Sequence, residues 1–206
     1  MVPTVSIYRY FMSDDSIFAN SDFPDSRISN SSYTCLMPLK PQDLLVVLKL
    51  WASKGQGWTY PALAKALGMS ASEVHGAVKR AHSAGLLIEP KAEARPNPKA
   101  LLEFLVHGVR YAFAPDRGER TRGIPTAYAA PPLAEAFLES DEPVPVWPHP
   151  QGKIRGESFS PLYRSAPDAA LEDPELYELL ALVDAMRGGR ARDRSLAAKA
   201  LSERIQ

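Results

Sequence analysis

Apolar residues first fall into a helical rhythm between Gln42 and Lys54. Leu44, Leu45, Val47, Leu48 and Trp51 cover one broad face there, and Gly55-Gln56-Gly57 ends the run. Ala62, Leu63, Ala66 and Leu67 form a smaller apolar face, opened by Thr59 and Tyr60 and broken by Gly68-Met69-Ser70. The next helix opens with Ser70 as N-cap and Glu73 three residues on, the pattern of a reciprocal capping box. Val74, Ala77, Val78 and Ala81 recur at helical spacing, and Gly85 suits the left-handed residue that stops a helix. Leu86-Leu87-Ile88 can make one strand. Glu89 to Pro98 holds three prolines and no alternating strand pair, which argues against a long hairpin.

Further along, Asn97-Pro98 opens another helix, with Asn as cap and Pro in the first turn. The run from Ala100 to Phe113 is apolar almost all round, which predicts a buried spine. Pro131, Pro132, Pro143, Pro145, Pro148 and Pro150 forbid long regular elements across 114–170. Short apolar clusters at Leu133–Leu138 and Val144–Trp147 are expected to pin that extended stretch to the core. Asp173-Pro174 starts a helix over Glu175 to Arg187, with Leu176, Leu179, Leu180 and Val183 on one face, and Gly188-Gly189 ends it. A last helix, from about Ala191 to Ile205, turns Leu196, Ala197, Ala200, Leu201 and Ile205 inward. Residues 1–36 carry eight serines, four aspartates and no sustained period, so they read as an unstructured extension with Met37 a candidate start. The expected fold class is mainly α. A helix-turn-helix module with little strand covers 37–98, and an irregular proline-rich segment closed by two C-terminal helices covers 99–206.

The packing face of the helix at 71–84 leaves Ser72, His75, Gly76, Lys79 and Ser83 on the opposite side of a rod about 21 Å long at 1.5 Å per residue. A short, capped helix with small polar residues outside fits a DNA major groove. The stretch SASEVHGAVKRAHSAGLL resembles the recognition helix of bacterial winged helix-turn-helix regulators, the MarR-like group especially. Such sequences commonly show a Ser, a Val two residues on, a basic residue further along and a Gly-Leu exit. Here these are Ser72, Val74, Arg80 and Gly85-Leu86. The resemblance covers Leu39 to Arg95 and implies a DNA-binding regulator whose terminal helices form a dimer interface. Two features depart from the pattern. Gly76 stands where many relatives carry a larger contacting side chain, and no clear wing hairpin follows Leu87.

Charge sharpens this picture. Residues 37–99 carry nine Lys/Arg against four Asp/Glu, a surplus of five, although the whole chain has net charge zero. The flanks compensate, with a net −2 over residues 1–36 and −3 over 100–206. A locally basic module suits a polyanion, because neutralising phosphates supplies most non-specific DNA affinity. Cys35 is the lone cysteine, which excludes an intramolecular disulfide and a Cys-rich zinc module and suits a reducing cytoplasm. No apolar run approaches the ~20 residues that span a bilayer.

Lys79 and Arg80 are the leading candidates for phosphate or base-edge contacts. Ser70, Ser72 and His75 lie in the first two turns, where recognition helices touch bases, and Ser70 has a competing role as cap. Thr59 and Tyr60 are candidates for backbone phosphate or for packing. Lys91 and Arg95 flank the place of a wing. The cluster Arg117, Arg120 and Arg122 reads better as a solvated loop with internal salt bridges than as a grip on DNA. His107 belongs to the buried spine. His75 and His82 have no ligand-spaced partners, so no metal is expected. No phosphate-cradling glycine loop, nucleophile elbow or cofactor motif is present, and the chain does not read as an enzyme. The function expected is sequence-specific binding of double-stranded DNA by a cytoplasmic homodimer, as a transcriptional regulator with no effector legible. The alternatives are a winged-helix protein-interaction adaptor and a replication or plasmid-maintenance DNA-binding protein.

Overall fold

Pro41 at the first turn and the carboxylate of Asp43, which accepts the Lys40 amide at 2.8 Å, start helix α1 (Pro41–Ala52). The computed structural model describes residues 38–89, 94–137 and 143–206. The expectations for residues 1–36, Met37, Lys91 and Leu138 lie outside them. α1 is more apolar in its surroundings than one amphipathic face would require: Leu44 to Leu48 are all buried. The cause is cover from two sides, by α3 (Ala71–Ser83) and by the far C-terminal helix α7 (Pro174–Gly188).

The following helices obey their local signals. Thr59 caps α2 (Tyr60–Leu67) by accepting the Ala62 amide, and Gly68 at φ 60° ends it. Ser70 and Glu73 complete their reciprocal box at 3.2 and 2.8 Å. Gly85, at φ 75°, sits two residues past the end of α3. The chain then does something the proline-rich stretch concealed. Leu86–Ile88 pairs with Arg95–Asn97 through a Leu87–Pro96 bridge and backbone bonds of 2.9 Å from Ile88 to Arg95 and from Asn97 to Leu86. A minimal hairpin therefore exists, and proline is tolerated in it because the bonds fall on its neighbours.

The expected buried spine is a correction. α4 (Pro98–Glu103), a π turn (Phe104–Gly108) and α5 (Val109–Ala112) run on from one another, but only Leu101, Leu105 and Val109 are fully covered. Tyr111 is 77% exposed and His107 faces solvent. The buried residues lie four apart, so one stripe faces the core.

A larger correction concerns the stretch expected to be irregular. β1 (Arg117–Pro125), β2 (Pro145–Pro148) and β3 (Ile154–Phe159) form a small closed sheet in which each strand pairs with both others. β1 is antiparallel to β2 and β3, and the latter two are parallel to each other. Closure this tight leaves no room for side chains at the crossings. A Cβ on Gly123 would overlap the Trp147 carbonyl, and one on Gly156 would overlap that of Val144. The C-terminal part holds α6 (Ala166–Glu172) as well as α7 and α8 (Ala191–Arg204), one helix more than expected.

α7 is the hub. It touches α1, α5, α6 and α8 and is buried continuously from Leu179 to Arg187. At its centre Asp184 accepts from Thr126 Oγ1 (2.7 Å), Trp147 Nε1 (2.6 Å) and Arg187 Nη1 (2.6 Å), and Arg187 Nε donates to the Phe113 carbonyl at 2.7 Å. Burial pushes the Asp184 carboxyl pKa up, against the opposing pull of Arg187 and the other donors. The described residues form one unit with a continuous core, so those before and after position 98 share their interior. The protein is mainly helical with a small three-stranded sheet. No helix among the described residues is long and apolar enough to cross a membrane.

Candidate nucleic-acid interface

α3 packs through Val74, Ala77, Val78 and Ala81, all buried, because these positions lie on one arc of a 3.6-residue period. The opposite arc, Ser72, His75, Lys79 and Ser83, is exposed. Lys79 is in no side-chain hydrogen bond or ion pair among the described residues. Ser83 Oγ donates back to the Lys79 carbonyl at 3.0 Å. The sequence-predicted residues Ser70, Ser72, His75 and Lys79 thus come together on one outward strip. Ser70 is engaged there as the cap.

Arg80 departs from the expectation of a groove contact. It lies on the flank of α3, and its guanidinium grips Asp43 of α1 with Nη2–Oδ1 at 2.6 Å and Nε–Oδ2 at 2.8 Å. The Asp43 side chain is 0% exposed and that of Arg80 only 11%. The hydrogen bonds that Arg80 donates to Asp43 raise its pKa further. A bidentate fork of this kind fixes both rotation and distance between two helices. Gly76 belongs to the same device, because a Cβ there would come within 3.1 Å of Arg80 Nη1. Its lack of a side chain leaves space for the fork.

Tyr60 and Thr59 also have structural roles. Thr59 is a cap, and the Tyr60 ring lies between Trp58 (centroids 5.1 Å apart) and His75 (5.4 Å). Burial raises the Tyr60 pKa. This aromatic ladder links the outer face of α3 to the base of the hairpin, where Trp58 Nε1 donates to the Ala94 carbonyl at 3.3 Å. Arg95 is exposed beside it, on the rim of a cleft of about 650 Å³ whose walls include Trp51, Trp58 and Leu179.

Sequence reasoning missed one neighbour of the strip. The segment after β3 packs on the turn between α2 and α3: Ser165 Oγ donates to the Leu67 carbonyl at 2.6 Å, and Tyr163 Oη donates to Glu73 Oε1 at 3.1 Å. Arg164 is exposed here. The Glu73 carboxyl is held below the usual carboxylate range, chiefly by the Ser70 amide, with further help from the Ser70 and Tyr163 hydroxyls and from Arg164. Ninety residues separate Glu73 from Tyr163, and no local pattern could announce the contact. Among the described residues no group of three or more His, Cys, Asp or Glu side chains could hold a metal ion. No protein-family model, curated protein or solved structure matches the chain.

Proposed function

We propose that the chain binds double-stranded DNA in a sequence-specific way, as a winged-helix transcriptional regulator of the cytoplasm. α3 would enter the major groove and the Leu86–Asn97 hairpin would lie over the adjoining backbone. The observation that carries this reading is the exposed strip Ser72–His75–Lys79–Ser83 on a helix whose rear is buried and whose rotation is fixed by the Asp43–Arg80 fork. Ser72 and His75 are the base-edge readers in this reading, with Lys79 and Arg95 on phosphates. Arg80 acts from behind as a positioning residue. One such helix offers few contacts, so two copies on half-sites ~34 Å apart are expected. α7 is buried in its own core, which leaves the exposed side of α8 as the helical surface open to a second copy.

The test is selection of bound duplexes from random DNA by the full chain. Symmetric enriched sites are expected, and Lys79→Ala should weaken binding to them about tenfold or more with no loss of thermal stability. Absence of any enriched sequence would overturn the reading. A protein-interaction adaptor is the second reading, favoured by one observation: with Arg80 withdrawn, Lys79 is the only Lys or Arg on the outer strip. Binding that stays level between roughly 50 and 200 mM salt would favour the adaptor.

A further inference from the structure

The arginines at 117–122, expected in a loop, stand on β1, and the register brings more cations to the same face. Arg122 is directly opposite Arg155 on β3, and Arg120 is opposite Glu157. Glu157 is already taken by Arg117 at 2.7 Å, and Arg117 also donates to the Gly188 carbonyl and covers the Phe159 ring. Arg120, Arg122, Lys153 and Arg155 are all exposed, and their side chains enter no hydrogen bond or ion pair among the described residues. Like charges directly opposite across two strands destabilise the pair. A sheet this small carries that cost while Glu157 is engaged by Arg117 and Glu119 falls at the register shift of β1, and an anion supplied from outside would relieve it.

We infer that this arginine face of the sheet is a second contact for the phosphate backbone of the duplex that α3 reads. The inference rests on the DNA reading of α3. Length supports a single duplex for both. Eight residues lead from Arg155 to Tyr163, whose hydroxyl touches Glu73 in the first turn of α3. Eight extended residues reach at most about 29 Å to the Tyr163 backbone, on the order of the ~34 Å of one duplex turn. Arg164, exposed beside Tyr163, lies on the way. Guanidinium groups suit phosphate oxygens through paired N–H donors, and such contacts position a protein without reading sequence.

The experiment compares the full chain with Arg120→Gln/Arg122→Gln/Arg155→Gln and with Ser72→Ala/Lys79→Ala. Its probe is a random-sequence duplex of roughly 30 base pairs, about three turns, followed by anisotropy across a salt series. The sheet variant should bind at least about tenfold more weakly at low salt, and its log–log salt slope should fall by about 2.7, at ~0.9 per lost phosphate contact. Its melting temperature should not drop, because the Arg122–Arg155 opposition is gone. A sheet variant that keeps the wild-type slope while the α3 variant loses affinity overturns the second contact and leaves the α3 reading intact. The converse result, slope lost in the sheet variant and affinity unchanged in the α3 variant, upholds a phosphate contact on the sheet and removes the reading it was joined to. Displacement of the duplex by polyglutamate at equal charge concentration would mark the face as a site for acidic protein, and overturn the inference.

Discussion

Each half of the molecule is organised around one buried aspartate–arginine pair, and the two pairs do different things. Asp43–Arg80 joins side chains thirty-seven residues apart, and besides the fork its carboxylate accepts the Lys40 amide. Asp184–Arg187 is local in sequence, three residues apart on one helix, yet it gathers Thr126, Trp147, Phe113 and Ser160 from four other places in the chain. The first pair sets the angle of a surface helix. The second holds the sheet and the end of α5 against α7. A polar group in the interior can therefore orient a surface or assemble a core, depending on whether its partners are few and distant or many and convergent.

Removing the second pair should cost most. Asp184→Ala leaves the Arg187 guanidinium buried without its carboxylate and two further donors unmatched. A loss of about 3–5 kcal/mol in urea unfolding is expected. A loss under about 1 kcal/mol would mean that the network is dispensable and the comparison empty. Next is Arg80→Ala, which strands a fully buried Asp43 and should cost about 3 kcal/mol, near the lower end of the same range because the amide of Lys40 still serves the carboxylate. Asp43→Leu/Arg80→Met should recover most of that stability. It should not restore the sequence preference in DNA selection, since apolar packing does not fix the helix rotation. Recovery of both would make the fork a stability device alone.

The smallest effect tests a partly exposed pair outside both centres. Burial alone would raise the Asp173 pKa, but hydrogen bonds from Lys49 and the Leu176 amide outweigh it and hold the group below its usual 3.8. The unfolded carboxyl then takes up its proton first as pH falls. The stability from the ionised pair is therefore complete above about pH 3.8 and is lost as pH drops through the lower folded value. Asp173→Asn, which keeps a capping oxygen, should cost less than about 1 kcal/mol at neutral pH and flatten part of the acid limb of the stability curve. An unchanged limb would show that Lys49 and Asp173 are independent.

How far the sequence could be read follows from the range of each interaction. Ser70 with Glu73, Thr59, Gly68 and Asn97 are signals that act within four residues, and the helix ends fall where they indicate. β1 has no such signal. Its RGERTRGIP alternates no apolar residues, and it is a strand because β3, more than thirty residues on, supplies its partners. Prolines at both ends of β2 read as breakers, although the residues between them are buried. The partner of Arg80 is hidden from the sequence for a related reason. A helical period places it beside Lys79, and only the position of Asp43 on another helix draws it inward.

The burial of α1 beneath α7 has a consequence for synthesis. The leucine-rich side of residues 44–50 finds its shelter in a segment that the ribosome makes more than 120 residues later. Until that segment emerges, the nascent chain displays a greasy ribbon that invites chaperones and proteases. A message cut short before residue 174 would yield a fragment with this face uncovered, a substrate for cellular quality control before it could accumulate.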